Sequence, residues 1–171
     1  MEVYPSMTRV KTDPADPCKP EQNAYLNRMV IRVPGYTELT DFNEVAQHEV
    51  LERKWCGPGG HYYVENDGRI TQGRPETMKG ANEVRGTDGN TNKLGIQVFE
   101  PSEAEALSAD FIGNLTQLIH CKMIQLSIWP KNIKPHFNKQ FRPSHKIVEL
   151  VNHIVSNATV LEQLEEQVKG L

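Results

Sequence analysis

The stretch Trp55–Arg74, WCGPGGHYYVENDGRITQGR, limits the possible folds more than any other. It opens on a glycine/proline turn, Gly57-Pro58-Gly59-Gly60. His61-Tyr62-Tyr63-Val64 then reads as a strand, because aromatic and β-branched side chains pack well on a pleated surface. Asp67-Gly68 supplies the positive φ angles of a two-residue hairpin turn. Arg69-Ile70-Thr71-Gln72 is the return strand, closed by Gly73-Arg74-Pro75.

The flanking segments supply partners for that hairpin. Met29-Val30-Ile31-Arg32-Val33 is a short apolar run stopped by Pro34-Gly35, so it reads as a buried strand. Its one charge, Arg32, is conspicuous, because a charged side chain is rarely buried unless paired. Thr40 or Asp41 can cap a helix that runs to about Lys54, with Phe42, Val45, Ala46 and Val50 facing inward and His48 on the polar side. Residues 76–92 carry Gly80, Gly86 and Gly89 and read as a loop of the kind that forms functional rims or partner contacts. Leu94–Phe99 is the next strand. A second helix is expected from a cap at Ser102, burying Leu107, Phe111, Leu115, Leu118, Ile119 and Met123. Ile133–Asn138 reads as an edge strand, since Pro135 cannot donate to a ladder. A last helix starts near Ser144. Ser156-Asn157 can divide it, leaving Ala158–Gly170 as a docking helix.

These elements define an α/β class, a central mixed sheet flanked by helices, in three parts: an extended arm over 1–27, a domain over 28–156 and a helical extension over 157–171. The arm is polar and broken by Pro5, Pro14, Pro17 and Pro20, so it cannot form a core of its own; it suits a segment that orders on a partner. A formal net charge of −3 lacks the basic footprint of nucleic-acid binding. No apolar run approaches the ~20 residues of a membrane span, and the N-terminus has no apolar signal core. Cys18, Cys56 and Cys121 are scattered and form no CxxC pair, so packing is their default role.

The order strand, helix, hairpin, loop, strand, helix, His-bearing strand, helix resembles the zinc N-acetylmuramoyl-L-alanine amidases and the peptidoglycan recognition proteins over about residues 29–150. Trp55, Gly60, His61, Tyr62, Asp67-Gly68 and Gly73-Arg74 match the family hairpin without a gap, and Asn92-Lys93-Leu94-Gly95-Ile96 matches its following strand. The resemblance implies a zinc held by three ligands, which activates a water and polarises the lactyl–L-Ala amide. Carried over residue by residue, the first ligand position holds Arg32 (Val33 if the register slips by one). The second holds His136. The third, eight residues on, holds Ser144, with His145 as the neighbouring alternative. Gly60 stands where the assisting Tyr is expected and Arg142 where the assisting Lys is expected. Arg has no lone pair for a metal and Ser is a poor ligand beside a thiolate. The family's non-catalytic recognition proteins also carry Ser at the third position. His61 is expected to be a core residue, as in the family.

The resemblance therefore implies a degenerate amidase with no zinc. It would act as a structural or peptidoglycan-recognition component, expected in a bacteriophage tail or baseplate and made in the host cytoplasm. Its arm and C-terminal helix would hold other virion proteins. The alternative is an active amidase whose zinc is held by His136, His145 and one of His61, His48 or Cys56.

Overall fold

A computed structural model describes residues 2–3, 25–36, 38–55, 57–81, 91–102 and 104–169, with side chains of the last helix described up to residue 158. Strands β1 (Glu2–Val3), β2 (Arg28–Arg32), β3 (Tyr62–Val64), β4 (Ile70–Gln72), β5 (Lys93–Val98) and β6 (Ile133–Pro135) form one mixed sheet in the order β1-β4-β3-β5-β2-β6. Only β3 and β4 run antiparallel; β2 is parallel to both β5 and β6, and β3 is parallel to β5. The helices are α1 (Phe42–Gln47), α2 (Ala109–Leu126) and α3 (His145–Lys169).

Alternation along the strands sorts the side chains by face. Met29, Ile31, Leu94, Ile96, Val98, Tyr62 and Val64 pack with Phe111, Leu115, Ile119, Ile147, Val151 and Ile154 of α2 and α3 in the main core. The opposite face holds Val30, Arg32, Gln97 and Tyr63. There Tyr63 packs with Phe42, Val45, Ala46 and Phe99 in a second, smaller cluster under α1. Arg32, Gln97 and Tyr63 lie side by side, since Arg32 pairs with Gln97 and Gln97 with Tyr63 across adjacent strands.

Four local expectations need correction. The hairpin turn is not a two-residue one with two positive φ angles. Gly68 N donates to Glu65 O at 2.8 Å, Glu65 N donates to Arg69 O at 2.9 Å, and within the turn only Gly68 has positive φ, at 90°. This is a type I turn over Glu65–Gly68 with the glycine as a bulge, the three-residue solution to the same twist problem. Helix α2 begins at Ala109, not after Ser102, because Ser108 has the extended backbone of a cap and its Oγ accepts from Phe111 N at 3.1 Å. Residues before it form a turn closed by Glu105 N to Ser102 O.

Helix α3 is continuous, so Ser156-Asn157 does not divide it. Both side chains bond back within the helix, Ser156 Oγ to Asn152 O and Asn157 Nδ2 to His153 Nε2. The first helix is α-helical only to Gln47, capped by Asp41, whose Oδ1 accepts from Glu44 N at 2.9 Å. His48–Glu52 is then a π-helical turn. Its wider winding brings Glu49 to the interior alongside Val50. The arm expected over residues 1–27 lies mostly outside the described residues; Glu2–Val3 pairs in parallel with Thr71–Gln72 of β4. Among the described residues no helix is long and apolar enough to cross a membrane.

Candidate functional site

The parallel strands β2, β5 and β6 end together, and the carboxyl ends of parallel strands are where open α/β sheets bind ligands. Arg32 is the last residue of β2, Gln97 lies one residue before the end of β5, and His136 follows β6, its backbone N–H bonded to Ile31 O at 2.8 Å. All three are buried: Arg32 is 5% exposed, His136 1% and Gln97 0%.

Phe141 joins Arg32 to His136. The Arg32 guanidinium sits 4.2 Å from the centre of the Phe141 ring, and that ring meets His136 edge-on at 5.4 Å. The loop holding Phe141 is tied to the sheet by Val33 N donating to Phe141 O at 2.9 Å. A side chain at position 35 would strike the same ring, so Gly35 makes room for it. Arg32 Nε donates to Val33 O at 3.3 Å. The imidazole of His136 accepts from Asn138 N at Nδ1, 3.0 Å, which places the ring proton on Nε2.

A carboxyl group close enough to feel the Arg32 charge belongs to Glu49. Its Oε2 accepts from Gly59 N at 2.8 Å and from Tyr63 Oη at 3.3 Å. Burial pushes this carboxyl up to about 7, against the pull of the Gly59 N–H, Arg32, Arg74 and Tyr63. Arg74 is itself buried and donates to three carbonyls, those of Pro58, Lys79 and Gly57, which staples the glycine/proline turn to the loop after β4. Gly60 N donates to Tyr63 Oη at 2.8 Å. Gly60 itself is tightly enclosed, since a Cβ there would come within 3.0 Å of Gln97 and 3.1 Å of the Tyr63 ring. Both amide atoms of Gln97 are buried with no hydrogen-bond partner among the described residues.

The other site candidates lie elsewhere. His61 is a core residue as expected: its Nδ1 accepts from Gly95 N at 2.9 Å, and its Nε2 bonds Met78 O at 2.9 Å. Both nitrogens are used by the neutral ring, and burial lowers its pKa to about 4. His145 projects outward, its side chain 84% exposed and paired with Glu149 at 2.9 Å. Ser144 opens α3, its carbonyl accepting from Val148 N and its N–H donating to Glu100 Oε1. Arg142 is exposed. His48 pairs with Glu52 at 2.9 Å and packs against the Tyr36 ring. Cys56 lies outside the described residues. Among the described residues no group of three His, Cys, Asp or Glu side chains is placed to hold a metal ion.

Reasoning from the sequence brought Arg32, Gly60 and His136 to this place but missed Phe141, Glu49 and Gln97. Glu49 stands on the inward stripe with Val45 and Val50, which was a readable signal. Gln97 interrupts the apolar run Leu94–Phe99, and an isolated polar residue within a buried strand is another. Nothing in the local pattern marks Phe141.

Sheet order, helix placement and a site at the strand ends define an amidase-type α/β fold. The chain belongs to the N-acetylmuramoyl-L-alanine amidase family, whose profile matches residues 23–157. In structure it is similar to the N-acetylmuramoyl-L-alanine amidase LysC from Clostridium intestinale, with 22% identity over 90% of this chain and 99% of that one, at a TM-score of 0.64. It is also similar to bumblebee PGRP-SA (14% identity, 87% of each chain, TM-score 0.60). A third likeness is to the endolysin amidase LysCS from Clostridium intestinale (25% identity, 77% of this chain and 81% of that one, TM-score 0.54). A search of curated protein sequences finds no match. The family and fold support a peptidoglycan-related function.

Proposed function

We propose that this chain is a catalytically degenerate amidase that holds peptidoglycan fragments without cleaving them. The observation that carries this reading is the run of contacts Arg32–Phe141–His136, at the positions where the family resemblance puts two zinc ligands. A guanidinium carries a permanent positive charge and offers no lone pair, so it repels the ion it would have to bind. Phe141 fills the space between Arg32 and His136 with a ring that cannot ligate. A water-activating metal needs three donors and an open fourth position, and this donor set does not fit one.

The rearranged zinc site finds little support. His145 faces solvent and pairs with Glu149, and both nitrogens of His61 are committed to the backbone. Binding by this fold has a parallel: a similar structure is the ectodomain complex of peptidoglycan recognition proteins LCa and LCx with tracheal cytotoxin bound.

The test is a pair of measurements on the full-length protein. Elemental analysis after purification without chelator is expected to find far less than one zinc per chain. A peptidoglycan pull-down is expected to retain the protein while no muropeptides are released. One zinc per chain together with released muropeptides would overturn the reading. Service in a bacteriophage particle is a further part of the proposal and rests on the family resemblance alone; mass spectrometry of purified particles checks it.

A further inference from the structure

A cavity opens on the same sheet face as Arg32 and Gln97, toward the amino-terminal ends of the strands. It encloses about 380 Å³ and shares only His136 with the site above; Arg28, Val30, Lys93, Lys134 and Phe137 also line it. Strand register explains why three cations meet there. Arg28 pairs with Lys93 on one side of β2, and Val30 pairs with Lys134 on the other. Alternation puts Arg28, Val30 and Lys93 on one face, together with Lys134. Val30, which lies between them on that face, contributes only a small side chain to the lining. Strands sit about 4.8 Å apart and rise about 3.3 Å per residue, so the three side chains are rooted roughly 5–12 Å from one another.

No carboxylate lines this cavity among the described residues. Three like charges at such spacing repel by about half a kcal/mol per pair even in water, and more over a partly desolvated floor. In a chain of net charge −3, that concentration is against the overall balance. Asn132 adds a side-chain amide to the rim, and the ring proton of His136 is on Nε2, so both can donate hydrogen bonds.

We propose that this cavity binds a phosphate-rich chain, with successive phosphate groups seated on Arg28, Lys93 and Lys134. Phosphate is favoured over carboxylate by the arrangement of the donors. They rise from three different strands around one cavity, and two of them are ammonium groups that act as point charges. A phosphate presents oxygens all round, whereas a carboxylate has two oxygens in one plane, suited to a single forked guanidinium.

Calorimetry of the full-length protein at low ionic strength tests this with inorganic tripolyphosphate, orthophosphate and tri-glutamate. Tripolyphosphate is expected to bind more tightly than either of the others, and its affinity should fall steeply at about 0.15 M salt, where the Debye length is about 8 Å. The double variant Arg28→Ala/Lys134→Ala is expected to lose roughly tenfold or more, having lost two charge-assisted contacts. Both residues are exposed, so the fold should persist, and circular dichroism checks that it does. Lys146→Ala, a surface change on α3, should bind as the parent does. The proposal is overturned if tripolyphosphate does not bind, if orthophosphate or tri-glutamate binds as tightly, or if the double variant binds unchanged.

Discussion

The Arg32 guanidinium lies over the face of the Phe141 ring at 4.2 Å, and both groups are held against the end of the sheet. A cation over an aromatic face gains up to about 2 kcal/mol when desolvated. Arg32→Ala should therefore destabilise the fold by about 2–4 kcal/mol, because it removes that contact and the charge facing Glu49. A double-mutant cycle with Phe141→Ala isolates the pair. Urea unfolding should give a coupling of about 0.5–2 kcal/mol. Additive effects would show that the two residues stabilise the fold independently.

Glu49 and His61 predict an unusual pH profile. Burial raises Glu49 from 4.5 to about 7, so between those values the native protein keeps a proton that the unfolded chain has released. Stability from this group falls as pH rises across that range. Burial lowers His61 from 6.5 to about 4, so the unfolded chain takes up a proton that the native ring refuses. Stability from this group rises with pH between about 4 and 6.5. The two slopes oppose each other where the windows overlap, and the wild-type urea midpoint should change little there from these groups. Glu49→Gln removes one slope, so its midpoint should climb with pH from about 4 to 6.5. A variant profile parallel to that of the wild type would refute the assignment.

Gln97 offers a stabilising substitution. Its amide is buried with neither atom partnered among the described residues, and an unsatisfied buried polar group costs about 1–3 kcal/mol. Gln97→Leu, close in volume, should raise the thermal midpoint or leave it unchanged. A marked loss of stability would mean that the amide has a partner in solution, such as a trapped water.

Gly68 should resist replacement. Its φ is 90°, and a Cβ there would come within 2.7 Å of the Asp110 backbone at the start of α2. Gly68→Ala is expected to cost more than about 1 kcal/mol, beyond the ordinary glycine-to-alanine effect, because hairpin and helix would both have to shift. Thermal unfolding checks it; an unchanged midpoint would show that the turn can rearrange.

Much of this architecture was legible because it is written in local patterns. Alternation and turn residues placed the hairpin, and apolar spacing placed the buried faces of α1 and α2. Burial of Arg32 followed from its position within an apolar strand. What stayed hidden was set by geometry between distant segments. Phe141 enters the site because its loop is tied to Val33, a contact that spans the chain and leaves no periodic trace. The late start of α2 is missed because Ser102 reads as its cap, whereas Ser108 takes that role.

The π-helical turn at His48–Glu52 carries a consequence of its own. Such a turn amounts to one extra residue wound into an α-helix. Removing a single residue there would let the segment wind as ordinary helix, while the residues beyond keep their facing because the wide turn had absorbed the extra one. The side chains within the turn would be redirected, Glu49 among them, so its hydrogen bond from Gly59 N depends on that turn staying wide. The acidity of this pocket is therefore controlled by chain length at one turn, and a one-residue deletion or insertion could switch it in a single step.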